Sequence, residues 1–144
     1  MRKQINFDMD GTIADLYGVD GWLDDLTNYR TRPYAEAKPL LNLSTLARIL
    51  NRLQKQGYEI CIISWLSKTG TAEYNARVAD TKREWLAKRL PSVRWDEIKI
   101  VEYGTPKQTL GEGILFDDEE RNRTAWTGTA YDVNNIIEVL KGLK

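Results

Sequence analysis

An α/β fold built on a parallel sheet is predicted by three features of this 144-residue chain. Short apolar runs alternate with longer amphipathic stretches along its whole length. The run at residues 58–65 (YEICIISW) is almost entirely apolar, as a strand covered on both faces should be. No internal repeat, low-complexity tract or Pro/Gly/Ser-rich linker breaks the alternation, so a single domain over 1–144 is expected. Parallel strands need crossover connections, usually helices, and this places helices on both faces of the sheet.

Residues 4–8 read as the first strand, 58–65 as the second and 98–102 (IKIVE) as the third. Residues 113–117 (GILFD) and the weaker 129–133 (TAYDV) complete a sheet of about five. Leu43, Leu46, Ile49, Leu50 and Leu53 recur at three- and four-residue spacings, which predicts a helix capped by Ser44 and stopped by Gly57. A second helix is expected over 72–90, ended by Pro91, and a closing one over 133–143 with Asp132 or Asn134 as its cap. Residues 14–39 do not fit the alternation. They hold Tyr17, Trp22, Tyr29, Tyr34 and several acids, and read as a small insertion over the edge of the sheet where ligands bind.

Composition narrows the chemistry. Hydrophobic residues at 42% and charged residues at 29% are ordinary for a soluble globular chain, and no membrane span is expected. Lys plus Arg and Asp plus Glu balance at 21 each, which gives no net attraction to a nucleic acid polymer or an anionic membrane. The N-terminal MRKQINFDMD turns polar and acidic too early for a signal peptide, so a cytoplasmic location is expected. The single cysteine, Cys61, cannot form an internal disulfide and reads as a buried thiol. There is no histidine, which excludes histidine triads and histidine-ligated zinc. Catalysis, if present, falls to carboxylates, hydroxyls and lysine.

Asp8 and Asp10 end the first predicted strand, and Asp117 and Asp118 end the fourth. In open α/β sheets the carboxyl ends of the strands are where ligands bind. Four converging carboxylates would repel one another unless a cation neutralised them, and an oxygen-only donor set without histidine suits magnesium. Gly11 and Thr12 allow a tight turn whose amides could approach a phosphate. Asp8 could then attack phosphorus, and Asp10 could protonate the leaving oxygen and later activate water. Ser64, at the end of the second strand, and Lys107, before the fourth, suit binding of phosphate charge. Each feature has a plainer alternative: DxDG as a turn, DDEE as charge complementing a helix N-terminus, Ser64 and Lys107 as ordinary residues. Their common placement at strand ends favours a site.

These residues resemble the haloacid dehalogenase-like superfamily of hydrolases. INFDMDGT at 5–12 is similar to its first motif, CIIS ending at Ser64 to its second, Lys107 to its lysine motif, and ILFDD ending at Asp117 and Asp118 to its acidic pair. The resemblance implies a three-layer Rossmann-like sheet of order 5-4-1-2-3 with a cap inserted after the first strand. It implies Asp8 as nucleophile and Asp10 as general acid/base. Magnesium would be held by Asp8, the backbone carbonyl of Asp10 and Asp117, with Asp118 in support. The expected activity is hydrolysis of a small phosphate monoester, a nucleotide among the candidates, since the short spacing of the motifs is weakly similar to the small deoxyribonucleotidase-like group. Two rivals stand beside it: a phosphoacceptor receiver-like domain, and a catalytically silent module that binds a nucleotide or protein.

Overall fold

The computed structural model describes residues 3–144. Its centre is a parallel sheet of five strands: β1 (Gln4–Phe7), β4 (Glu59–Trp65), β5 (Glu97–Val101), β6 (Ile114–Phe116) and β7 (Thr129–Tyr131). Two very short strands, β2 (Ala14–Asp15) and β3 (Lys38–Pro39), pair antiparallel in a separate sheet that the sequence pattern does not announce. The central order is β5-β4-β1-β6-β7, which is 3-2-1-4-5 when only these five strands are numbered, and the expected 5-4-1-2-3 when read from the opposite edge. A receiver-like chain would follow the flavodoxin-like order 2-1-3-4-5. With β1 in the middle of the sheet, that rival is excluded.

Among the described residues the α-helices are α1 (Trp22–Thr27), α2 (Arg32–Glu36), α3 (Leu43–Lys55), α4 (Ala72–Arg89), α5 (Glu120–Ala125) and α6 (Ile136–Lys141). The cap of α3 is Asn42 and not Ser44: the Asn42 side chain accepts from the Thr45 amide at 3.0 Å. Thr71 caps α4 in the same way. The closing helix is shorter than its apolar pattern, because 133–135 form a 3-10 turn, with the Asp132 side chain accepting from Val133, before α6 begins.

The two faces of the sheet are covered differently. Ile5, Phe7, Ile60 and Ile62 pack against Leu46, Leu50 and Leu53 of α3, Trp85 and Leu86 of α4, and Ile136 and Leu140 of α6 in the main core. On the opposite face Ile63 and Leu115 meet Trp126, just after α5. Successive strand residues point to opposite faces, so polar Gln4 and Asn6 of β1 alternate with Ile5 and Phe7. Gln4 accepts from the Glu112 amide, and Asn6 donates to the carbonyls of Glu112 and Ile114. These bonds pin the segment between Lys107 and β6 to the centre of the sheet. Cys61 is fully buried, and burial pushes its thiol up to about 11.

The stretch 14–39 folds as β2, a 3-10 turn, α1, α2 and β3, with the β2–β3 pair closing its base. Leu16 and Tyr34 form a small core with Tyr74 and Val78 of α4. The Tyr74 hydroxyl donates to the Arg30 carbonyl at 2.8 Å and the Trp85 indole to that of Ala37 at 2.8 Å. α4 is therefore the seat of the insertion.

Candidate active site

β1 and β6 are neighbours in register, so the turns that leave them bring Asp8 and Asp10 to Asp117 and Asp118. The turn after β1 is tight. Gly11 has φ of +80°, which favours glycine, and a Cβ there would collide with the Asp118 carboxylate. The Gly11 amide donates to Ala14 and the Thr12 amide to Met9. Neither is left for a phosphate, contrary to the expectation from sequence. Thr12 serves the site through its hydroxyl, which donates to Asp8 Oδ2 at 3.2 Å or to Asp118 Oδ1 at 3.3 Å.

Asp8, Asp117 and Asp118 each bring one carboxylate oxygen within 4.8 Å of the others, a group able to hold a metal ion. The carboxylate of Asp10 stands outside it. Lys107, 2% exposed, donates to Asp8 Oδ1 at 2.9 Å and to Asp117 Oδ2 at 2.8 Å. Asp117 is further fixed by the Glu119 amide and the Asn122 side chain. Asn122 has no counterpart in the sequence reading, although its position one turn into α5 points it back toward the acidic pair.

Four carboxylates here face two buried ammonium groups, Lys107 and Lys82. The surplus negative charge is visible in the proton affinities. Burial and the neighbouring Asp8 push Asp117 up to about 6, and burial with a hydrogen bond to Asp8 pushes Asp118 up to about 8. Burial also acts to raise Asp8, but Lys107 and the hydrogen bond from Asp118 outweigh it and hold Asp8 below the ordinary carboxylate range. Asp10 lies above that range, because burial and the charge of Asp8 exceed the pull of Lys82. For Lys107, burial opposes the charge, but Asp8 and Asp117 secure it. An oxygen donor set with charge to spare fits a hard divalent cation.

Ser64 and Trp65, consecutive at the end of β4, point to opposite faces. Ser64 is fully buried and its hydroxyl accepts from Lys82 of α4 at 2.7 Å, so it does not reach the cavity wall. Trp65 faces the cavity with Tyr103, their rings 4.9 Å apart and Arg121 lying over both. The cavity, about 240 Å³, is lined by Asp8, Asp10, Lys107, Asp117 and Asp118 on one side of its chemistry and by Tyr17, Trp22, Tyr34, Trp65 and Tyr103 on the other. Tyr29, the fourth aromatic of the insertion, packs on Tyr74 instead, with ring centroids at 5.5 Å.

Lys82, which donates to Asp10 at 2.9 Å from behind the cavity wall, was likewise missed in the sequence reading. It lies on an otherwise apolar row of α4, four residues after Val78 and eight after Tyr74, and a lysine on the core face of a helix is the signal that would have found it.

The architecture is a five-strand parallel sheet flanked by helices, with acids at the ends of the neighbouring strands β1 and β6, and this is the fold that the resemblance implies. Among solved structures, the chain is similar to D,D-heptose 1,7-bisphosphate phosphatase from Burkholderia thailandensis, with a TM-score of 0.52 at 16% identity over 86% of this chain and 71% of that one. It is likewise similar to D,D-heptose 1,7-bisphosphate phosphatase from B. bronchiseptica, determined with magnesium and phosphate, with a TM-score of 0.51 at 13% identity over 87% of this chain and 74% of that one. No protein-family model and no curated protein matches the sequence.

Proposed function

We propose that the protein is a magnesium-dependent phosphatase that hydrolyses a small phosphate monoester through an aspartyl-phosphate on Asp8. The observation that carries this is the opposite displacement of two carboxyls on one turn: Asp8 is held ionised beside Lys107, and Asp10 retains a proton more readily than usual. Paired groups pushed apart in this way mark a nucleophile and a general acid. The magnesium and phosphate bound in one similar structure support the same reading.

In the first step a carboxylate oxygen of Asp8 bonds to phosphorus as the bond to the leaving oxygen breaks, and that oxygen takes the proton of Asp10. In the second, Asp10 accepts a proton from water as the water oxygen attacks phosphorus, and the bond to Asp8 breaks to release inorganic phosphate. Lys107 holds Asp8 and Asp117 in place and offsets charge on the transferring group. Asp8, Asp117 and Asp118 would hold the magnesium, with the Asp10 carbonyl as the further ligand that the resemblance implies. When bound, the ion supplies neutralising charge to the phosphoryl oxygens.

The substrate we favour is a nucleotide, because Tyr17, Trp22, Tyr34, Trp65 and Tyr103 offer flat apolar faces beside the acids, where a base could stack. The similar proteins carry the names of sugar bisphosphate phosphatases, which makes sugar phosphates the natural comparison. Phosphate release with magnesium from both series tests the two parts separately. Sustained turnover is expected, with the higher kcat/KM on mononucleotides. A preference for sugar phosphates rejects the nucleotide and keeps the phosphatase; no release from any ester rejects the phosphatase and favours the silent binding module.

A further inference from the structure

From the geometry around its ammonium group we infer that Lys82 is a positioning residue for the general acid/base Asp10, holding that carboxyl where it can protonate the leaving group. The inference rests on the phosphatase reading and adds to it a residue from α4, 72 positions away from Asp10 in the chain. Lys82 is 1% exposed. Its three donors are matched by three acceptors: Asp10 Oδ2 at 2.9 Å, Ser64 Oγ at 2.7 Å and the Trp65 carbonyl at 2.7 Å. An ammonium has three N–H groups and no acceptor, so this set saturates it.

Two consequences follow for Asp10. Its Oδ2 is tied to a fixed point on an 18-residue helix, which restricts the carboxyl to one orientation. Its Oδ1 has no hydrogen-bond partner among the described residues and remains the atom able to carry and return the proton. Misplacement of a reacting group by about 1 Å can cost on the order of 10²-fold in rate. Lys82 donates to Asp10, Ser64 and the Trp65 carbonyl and reaches Asp8 only through its charge, and its Nζ lies 5.3 Å from the centre of the Tyr34 ring in the insertion. Its placement is thus shared between the sheet, α4 and the insertion. Ser64 and the Trp65 carbonyl, which serve no direct role at the cavity wall, act as the seat of the ammonium.

Leaving-group dependence separates positioning of a proton donor from a merely structural role. An alkoxide leaves only with a proton, whereas para-nitrophenolate leaves without one. Because kcat/KM reports steps through the first phosphoryl transfer, later hydrolysis of the aspartyl-phosphate does not obscure the comparison. Lys82→Met is expected to lower kcat/KM on an alkyl ester such as glycerol phosphate by about 100-fold and that on para-nitrophenyl phosphate by about tenfold or less, the shared part reflecting the lost charge near Asp8 and the remaining factor of about ten or more the misplaced proton donor. Lys82→Gln keeps an N–H donor for the seat but removes the charge; it is the second variant, should Lys82→Met fail to fold, and the same split is expected. In an Asp10→Asn background, Lys82→Gln should add no further loss on the alkyl ester. Equal losses on both esters, or an additive loss in the double variant, overturn the positioning role. A wild-type protein that hydrolyses neither ester overturns the phosphatase reading itself.

Discussion

Two acidic centres in this molecule are built from similar side chains and differ in how their charge is balanced. In the insertion, Asp25 is almost fully buried and receives Arg32 Nε at 2.5 Å on one carboxylate oxygen and Arg30 at 3.2 Å on the other. Although its burial acts to raise it, hydrogen bonds and charge from Arg32 and Arg30 hold Asp25 below the ordinary range. Arg32 also reaches the Asp20 carbonyl and Glu36, so one guanidinium ties α1 to α2. At the ends of β1 and β6, two ammonium groups serve four carboxylates, and Asp117 and Asp118 are displaced upward. A compensated acid holds structure together. An under-compensated cluster is able to hold a cation, as the proposed phosphatase reading requires.

The largest contrast is expected from removing one acid in each centre. Asp8→Asn should abolish hydrolysis, by at least about 10⁴-fold in kcat, because an amide is no nucleophile toward phosphorus. Asp25→Asn should leave hydrolysis of para-nitrophenyl phosphate largely intact while lowering the melting temperature. Comparable loss of kcat in both variants would erase the distinction.

Removal of magnesium comes next. Chelation should stop turnover, and restoring the ion should both recover it and stabilise the fold, by roughly 2.7 kcal/mol when free magnesium is about 100 times its Kd. Full activity in excess chelator would reject the metal site. An unchanged melting temperature on adding the ion would count against the surplus of negative charge.

Smaller still is the opposite pH dependence of the two centres. In the metal-free protein, Asp117 and Asp118 hold protons more tightly folded than unfolded, so the stability they contribute is complete below the ordinary carboxylate range. It is lost as pH rises through about 6 and then about 8. Asp25 has the reverse sign: its contribution is present above the ordinary range and is lost as pH falls through its lowered value. Thermal melts across pH should show a falling alkaline limb that disappears in Asp118→Asn and on adding magnesium, and an acid limb that weakens in Asp25→Asn. An alkaline limb unaffected by either treatment would contradict the assignment. The smallest effect belongs to Arg30→Ala, since that side chain is 61% exposed and screened ion pairs contribute little. Its melting temperature should lie close to that of the parent, with Arg32→Ala the more damaging of the two.

The alternation of apolar runs was enough to place all five central strands, because a strand buried on both faces leaves an uninterrupted apolar signature in β4, and helix spacing is explicit in α3. Asp8, Asp10, Lys107, Asp117 and Asp118 were legible for a related reason: each sits at or near the end of such a strand, and the sheet order carries them to one place. The interior of the insertion was not legible. Its elements, of two to six residues each, are too short to show a period, and they are held by Tyr74, Trp85 and the Asp25–arginine cluster, contacts that span distance in the chain.

By itself, then, the sequence determined the class of fold, the candidate carboxylates and lysine, and the lack of histidine and of a second cysteine, since these depend on residue type and local spacing. Only the tertiary structure decided how charge is shared among those groups. It closed the Gly11 and Thr12 amides to a phosphate, turned Ser64 inward to seat Lys82, and brought a lysine from the core face of α4 to Asp10. Proton affinity and orientation depend on burial and on partners within a few ångströms, and those partners are set by the packing of α4 on the sheet and not by neighbours in the chain.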